Sequence, residues 1–515
     1  MRLLAILFFL ATAMTIATAQ NAPAIDWERC TGGAEGDEGR AITTDEVGNL
    51  YLAGSTENGP NGWDYTVTKL SPQGTLIWQH FYGGSGYDKP EAIVRTTAGE
   101  LFVLGYSTST DGDITGNHGN DDAWLLKLDQ NGELIWEKSF GGPGIDLGWN
   151  MALDNDNNLT LACLTDEEGG DVGNQIGGAD YWIVKCDLDG NVIWERTYGG
   201  TGDDFVSNVE GTDDGGYIVG GGTRSVDGDI SQPAELGDEG DIWIIKLAGD
   251  GTLQWETSLG GSGSEGGKVI PRSDGGYVVI GNTNSTDGDV SMALGGTDVW
   301  IAQLSNSGEL TSERSYGGTS ADSERDLHEI AGGGFFISAN TSSSNGDVAG
   351  YHGGFFDLWA FRIDPEGELI WQKPLGGTAD DRCSASTPTP DGGYALLGFS
   401  NSTNGDVTSA FPGYDSWVVK LEPEIVSVSE GSQLGGITLF PNPATDIIHF
   451  RFSEQQNSIV GFELVDAMGR TLRVTPAATT TSNELSFNVS ELASGMYTLH
   501  VFDTGHSYSL PLLKR

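Results

Sequence analysis

Two sets of acidic residues recur along this chain where carboxylate chemistry is possible. The first is an Asp or Glu a few residues after a Gly-Gly pair: Asp88, Asp146, Asp203, Glu265, Asp322 and Asp380. The second ends a Gly-Asp loop: Asp113, Asp171, Asp229, Asp289, Asp347 and Asp406. Oxygen-rich loops of this kind suit Ca²⁺, which takes six to eight oxygen ligands. They also suit plain turns, because Asp hydrogen-bonds its own backbone and Gly supplies a positive φ. The motif recurs in nearly every repeat, which favours the turn reading. Asp154-Asn155-Asp156-Asn157-Asn158 imitates a calcium loop, but Leu159 stands where the turn Gly is needed and Thr165 where the bidentate Glu is needed. It reads as a turn.

Catalytic motifs are scarce, and no catalytic residue is assigned. The seven histidines are scattered, with no H-E-x-x-H and no G-x-S-x-G. Gly261-Ser262-Gly263-Ser264-Glu265-Gly266 fits G-x-G-x-x-G but lacks the strand–helix context of a nucleotide site. His118, Arg224 and His352 fall in loops of the binding type, each in a different repeat. Paired carboxylates are everywhere and so do not single out glycosidase chemistry. The chain has 25 Lys+Arg against 74 Asp+Glu, a formal charge of −49. That excludes nucleic acid as a partner, since a phosphate backbone needs a Lys/Arg surface, and disfavours anionic lipid. Metal cations and basic partners remain compatible.

The elements that must position these residues come from a repeat. An aromatic residue is followed five residues later by Gly-Gly at Trp27, Trp78, Trp136, Trp194, Trp255 and Trp371, and Ser312 replaces the Trp before Gly317. The first glycines of the seven pairs are spaced 51, 58, 58, 61, 57 and 59 residues apart. Each unit holds four strand-like runs, the third with a D-x-W-x-x-K-L pattern such as Asp122–Leu128. Four short antiparallel strands per unit are one propeller blade. The 78 glycines, unusually many for 515 residues, fit an all-β fold full of tight turns. We expect a seven-bladed β-propeller over residues 20–424. Its N-terminal strand, near Ile25–Cys30, should complete the last blade. An open solenoid would leave that orphan strand unexplained. Strand alternation puts both acidic sets on one face. The repeated Trp and Tyr read as packing between blades. Cys163 and Cys186 fall at opposite ends of their strands and are not read as a disulfide pair.

The two ends differ from the repeat. Residues 1–19 read as a secretory signal: Arg2, an apolar run Leu3–Leu10, and Ala17-Thr18-Ala19 before a cut between Ala19 and Gln20. No later stretch is apolar enough to span a membrane, so none is expected in the mature chain. After a linker at 425–436, residues 437–515 carry Pro441-Asn442-Pro443-Ala444, then Asp466 before Gly469-Arg470, and then Leu492-Ala493-Ser494-Gly495-Met496-Tyr497 before a basic end, Lys514-Arg515. Short alternating strands between Gly, Pro and Asn turns make this a small C-terminal β-sandwich. It closely resembles the type A C-terminal sorting domain of type IX secretion system cargo from Bacteroidota. The resemblance implies passage through the type IX machinery, and a protein attached to the surface or released.

Together these features point to a secreted or surface-attached propeller that binds an extracellular ligand, a glycan or a protein, without catalysis. The alternative is a secreted hydrolase or lyase acting on polysaccharide or protein. Fold alone does not choose between them. A blade that departs from the repeat with clustered reactive side chains would mark the enzyme.

Overall fold

The computed structural model describes residues 22–424 apart from 34–35, 58–61, 155, 232–239, 331–332 and 409–412, and within 437–514 the strands given below with a few residues between them. The signal segment with the Ala19–Gln20 junction, the 425–436 linker and the 441–444 motif lie outside the described residues.

Seven four-stranded antiparallel sheets follow one another as blades. Blade 2 shows the pattern: Asp88–Arg95, Leu101–Ser107, Asp122–Leu128 and Leu134–Phe140, paired in that order. The third strand is buried along its whole length. Its near-continuous apolar run is therefore required, because neighbouring blades cover both of its faces. The outer strand is half solvated and leaves Ile135 exposed.

The seventh blade combines three C-terminal strands with Ile25–Thr31. That segment runs antiparallel to Asp415–Leu421, with Glu28 opposite Val419 and Cys30 opposite Trp417. The ring is closed by its own N-terminus, as expected.

A second repeated device locks strand three to strand four. The Trp of each D-x-W is fully buried, and its indole N–H reaches a side-chain oxygen on the outer strand. Trp124 donates to Glu137 (2.9 Å), Trp182 to Glu195 (2.9 Å), Trp243 to Glu256 (3.1 Å), Trp300 to Glu313 (2.7 Å) and Trp359 to Gln372 (3.1 Å). In the seventh blade Trp417 donates to Glu28 (2.9 Å), so the closing strand supplies the acceptor. A buried indole needs such a partner. Cys30, Cys163, Cys186 and Cys383 are buried, and none is joined in a disulfide.

The C-terminal unit consists of two four-stranded antiparallel sheets, as a small sandwich requires. One orders Ile437–Phe440, Ile447–Phe452, Glu484–Asn488 and Pro476–Thr481. The other orders Thr471–Leu472, Ile459–Asp466, Gly495–Asp503 and Ser507–Lys514. The Arg470 backbone N–H and guanidinium Nε both donate to Asp466, at 2.9 and 2.7 Å. Asp466 and Arg470, the two ends of the D-x-x-G-R motif, are thus pinned to each other. No helix among the described residues is long and apolar enough to cross a membrane.

Candidate functional site: the central channel

The first strand of each blade lines the axis of the ring, and six of the seven carry a one-residue register shift. The shifts fall between Gly39 and Ala41, Pro90 and Ala92, Gly148 and Asn150, Val206 and Asn208, Glu324 and Asp326, and Cys383 and Ala385. The extra residues are Arg40, Glu91, Trp149, Ser207, Arg325 and Ser384. Such bulges bend a strand and re-aim a side chain. All six line one cavity of about 730 Å³. In blade 5, Gly266–Pro271 pairs without a shift, and Lys268 supplies the wall there. A smaller cavity of about 360 Å³ shares Asn150, Glu210, Lys268, Asp326 and His328 with the first and continues past Pro271 and Pro388.

Three of the shared residues, Lys268, Asp326 and His328, belong to one polar belt joined through Ser386. Lys268 pairs with Asp326 Oδ1 at 2.8 Å, and Asp326 Oδ2 accepts the Ser386 backbone N–H at 2.8 Å. Asn208 makes the same inter-blade strut, accepting from the Val269 N–H (2.9 Å) and donating to the Val269 carbonyl (2.8 Å). His328 Nε2 lies 3.0 Å from the Ser386 carbonyl. A carbonyl can only accept, so the proton sits on Nε2, and burial lowers the pKa of the ring. Burial, with the charge of Asp326, pushes Glu210 up to about 7, although Lys268 opposes it. Burial also pushes Glu324 up to about 7 against Arg325 and Lys268, and its buried Oε2 has no hydrogen-bond partner. Carboxyl groups poised near neutrality can both give and accept a proton at pH 7.

The two acidic sets meet on one face, where they share the backbone of the Gly-Gly pairs. Asp113 Oδ2 accepts the Gly83 N–H at 3.1 Å, and the Asp113 N–H returns to the Gly83 carbonyl at 3.0 Å. Asp171, Asp229, Asp289, Asp347 and Asp406 do the same to Gly141, Gly199, Gly260, Gly317 and Gly376. The second glycine of each pair donates to the acid that opens the next inner strand, as Gly84 does to Asp88 (2.8 Å) and Gly318 to Asp322 (2.8 Å). In blades 4 and 7 that acid is Asp204 and Asp381, one residue beyond the expected Asp203 and Asp380. Asp380 instead pairs with Arg382, and Asp203 lies 3.8 Å from Arg224. Strand one starts one residue later in those blades than an acid-counting reading assumes. No group of three or more His, Cys, Asp or Glu among the described residues is arranged to hold a metal ion. The Asp154 loop is a turn, with Asp154 Oδ1 accepting from the Asp156 and Asn158 N–H groups and Oδ2 pairing with Lys185.

His118 and His352 stay apart, each 2.7 Å from the D-x-W aspartate of its own blade, Asp122 and Asp357. The clustered departure from the repeat lies on the inner strands, which sequence reasoning passed over in favour of loops. The available signal was the third residue after the acid, Arg40, Glu91, Trp149, Ser207, Arg325 and Ser384, which varies freely inside a regular repeat.

Residues 438–513 match the family described as the secretion system C-terminal sorting domain, and residues 27–60 match the β-propeller repeat family. The chain is delivered by the type IX secretion system. Delivery by the type IX route leaves it secreted or attached to the cell surface. Solved structures that resemble it include the Neurospora crassa Pan2 WD40 domain, at 11% identity and TM-score 0.40, covering 76% of this chain and 90% of that one. An ulvan lyase of family PL25 bound to a sugar ligand shares 11% identity at TM-score 0.44, covering 77% and 97%. The PQQ-bound aldose sugar dehydrogenase of Streptomyces coelicolor shares 13% at TM-score 0.34, covering 78% and 99%. None of these likenesses bears on activity. No curated protein matches the chain.

Proposed function

We propose that this type IX cargo is a non-catalytic binding module that takes an extracellular ligand into the central channel of its propeller. The observation that carries the reading is the set of bulge residues. Most of the blade repeats, yet six inner strands turn bulge side chains of four types, Arg, Glu, Trp and Ser, into one cavity of about 730 Å³. Ligand sites are concave, with a few polar groups among apolar walls. Here Trp149, Phe205 and Phe399 share the cavity with Arg40, Glu91, Lys268 and Arg325. Aromatic faces beside hydrogen-bonding side chains suit a sugar ring, so a glycan is the favoured ligand class.

A second reading rests on Glu210 and Glu324. Two carboxyls near pKa 7, with Lys268 and His328 beside them, are what general acid–base cleavage of a polysaccharide requires. The test is to incubate the purified full chain with a panel of glycans and peptides, measuring both binding and turnover. Binding without products supports the module. Turnover lost in Glu324→Gln would replace it with the hydrolase or lyase.

A further inference from the structure

We propose that Arg325 anchors an anionic group, a carboxylate or a sulfate ester, carried on a sugar ring that enters the channel. The inference rests on the channel being the binding site, and it names the ligand's charge.

The cations lining the cavity are compensated, with one exception. Arg40 pairs with Glu38 at 2.6 Å, Lys268 with Asp326 at 2.8 Å and Arg382 with Asp380 at 3.0 Å. Arg325 donates from Nε to the Cys383 carbonyl (3.0 Å) and from Nη1 to the Glu324 carbonyl (2.8 Å). Two carbonyls orient the guanidinium but leave its charge intact. Among the described residues, no carboxylate lies within ion-pairing distance of it. In a chain with 74 acids to 25 bases, a half-buried arginine without a carboxylate partner goes against composition. Two of the five guanidinium N–H groups are used, and three remain for a planar or tetrahedral oxyanion.

Its surroundings fit the rest of such a ligand. Glu324 Oε2 is buried and unpartnered in the same wall, and as a protonated acid it would donate to the anion or to a ring hydroxyl. Phe205, 43% exposed, and Phe399 supply aromatic faces for the ring. The acidic exterior does not forbid an anion inside, because at physiological ionic strength a charge is screened over about 8 Å.

The experiment is calorimetric titration of the full chain with three oligosaccharides of equal length: uronate-containing, sulfated and neutral. Arg325→Gln and Arg325→Lys are titrated alongside, together with Ser207→Trp, which fills the channel from another blade. Thermal melting confirms that each variant is folded. An acidic sugar of either kind should bind at least tenfold more tightly than the neutral one. Arg325→Gln should erase that preference, and Arg325→Lys should keep part of it. Equal affinity for neutral and acidic sugars, unchanged in Arg325→Gln, overturns the anchor while leaving the channel as the site. Affinity indifferent to Ser207→Trp, or no saccharide binding at all, overturns the channel reading itself.

Discussion

Gly199 is seated so closely against Asp180 that a Cβ built on it would stand 2.2 Å from the Oδ1 carboxylate oxygen. Asp204 Oδ2 closes from the other side, at 2.5 Å from the same point. The arrangement recurs at Gly317, between Asp298 Oδ1 and Asp322 Oδ2, both at 2.6 Å. The first glycine of the Gly-Gly marker is therefore required by two carboxylates, one from strand three and one from the next blade.

Gly199→Ala should destabilise the propeller by about 2–3 kcal/mol, the usual cost of forcing atoms into a filled site. Gly211→Ala is the control, since nothing lies within 4 Å of its would-be Cβ. It should stay within about 0.5 kcal/mol of the parent. Urea denaturation of both variants checks the pair, and equal stability would remove the steric account of the marker.

The fold was legible because the repeat is redundant. The Trp-to-Gly-Gly spacing and the D-x-W strands each mark six of the seven blades, and they fail in different blades, so neither the missing Trp at Ser312 nor Thr66 in the place of the D-x-W Trp does damage. The site was not legible for a physical reason. A bulge adds one residue to one strand and shifts the period-two pattern by one. Arg325 and Trp149 therefore look like ordinary strand positions until the pairing partners are known. The displacement of Asp203 for Asp204 and of Asp380 for Asp381 has another origin: two aspartates stand side by side there, and the constant five-residue step from the first glycine to the acid picks out the second.

Glu28→Ala removes the acceptor for the buried Trp417 indole and loosens the strand that closes the ring. Leaving a buried donor unpaired costs about 1–3 kcal/mol. Deleting residues 20–33 should do far more, exposing the edge of Asp415–Leu421 and promoting aggregation. Differential scanning calorimetry with light scattering would show both effects. A truncated chain that melts like the parent would mean that the ring does not depend on its seal.

Stability should be greatest under mildly acidic conditions. Burial raises Asp146, Asp180, Asp298 and Asp357 to about 6 and Asp241 to about 7, alongside the two channel glutamates. Unfolded carboxylates titrate near 4, so between about pH 4 and 7 the folded state holds more protons. Stability is then gained as pH falls into that window and lost as pH rises through 6 to 7. Below it the balance reverses at Asp214, where hydrogen bonds from Thr212 and Lys246 outweigh burial and hold the carboxyl at about 2. Melting temperatures from pH 3 to 9 should peak between about 4 and 6 and keep that shape in high salt, which screens the net charge. A plateau from pH 5 to 8 would count against the buried acids as the cause.

Calcium should stabilise the chain no more than magnesium does. Each loop aspartate from Asp113 to Asp406 already spends one oxygen on a glycine N–H, and relief of the −49 charge is open to any divalent cation. Paired thermal titrations at constant ionic strength decide the matter. A calcium-only shift, weakened by Asp289→Asn, would assign the loops to ion binding.

Removing residues 437–515 should leave the propeller folded but retained in the periplasm, because the sorting domain is its own pair of sheets. Cell fractionation and protease shaving report its position. Surface delivery of the shortened chain would show that export does not depend on this unit.

The closing strand also sets a clock on biogenesis. Glu28 and Trp417 are 389 residues apart, so the earliest strand to be made waits for the last strand of the propeller before it has a partner. Until then blade 7 does not exist as a sheet, and a chain with six finished blades still has two open edges. Pairing of such long range is slow to form. It also links the two ends of the repeat array, turning seven near-identical units into one cooperative whole in which no terminal blade can fray alone. A chain interrupted anywhere before residue 421 is thus an aggregation hazard, and only chains that run past it can reach a sealed state.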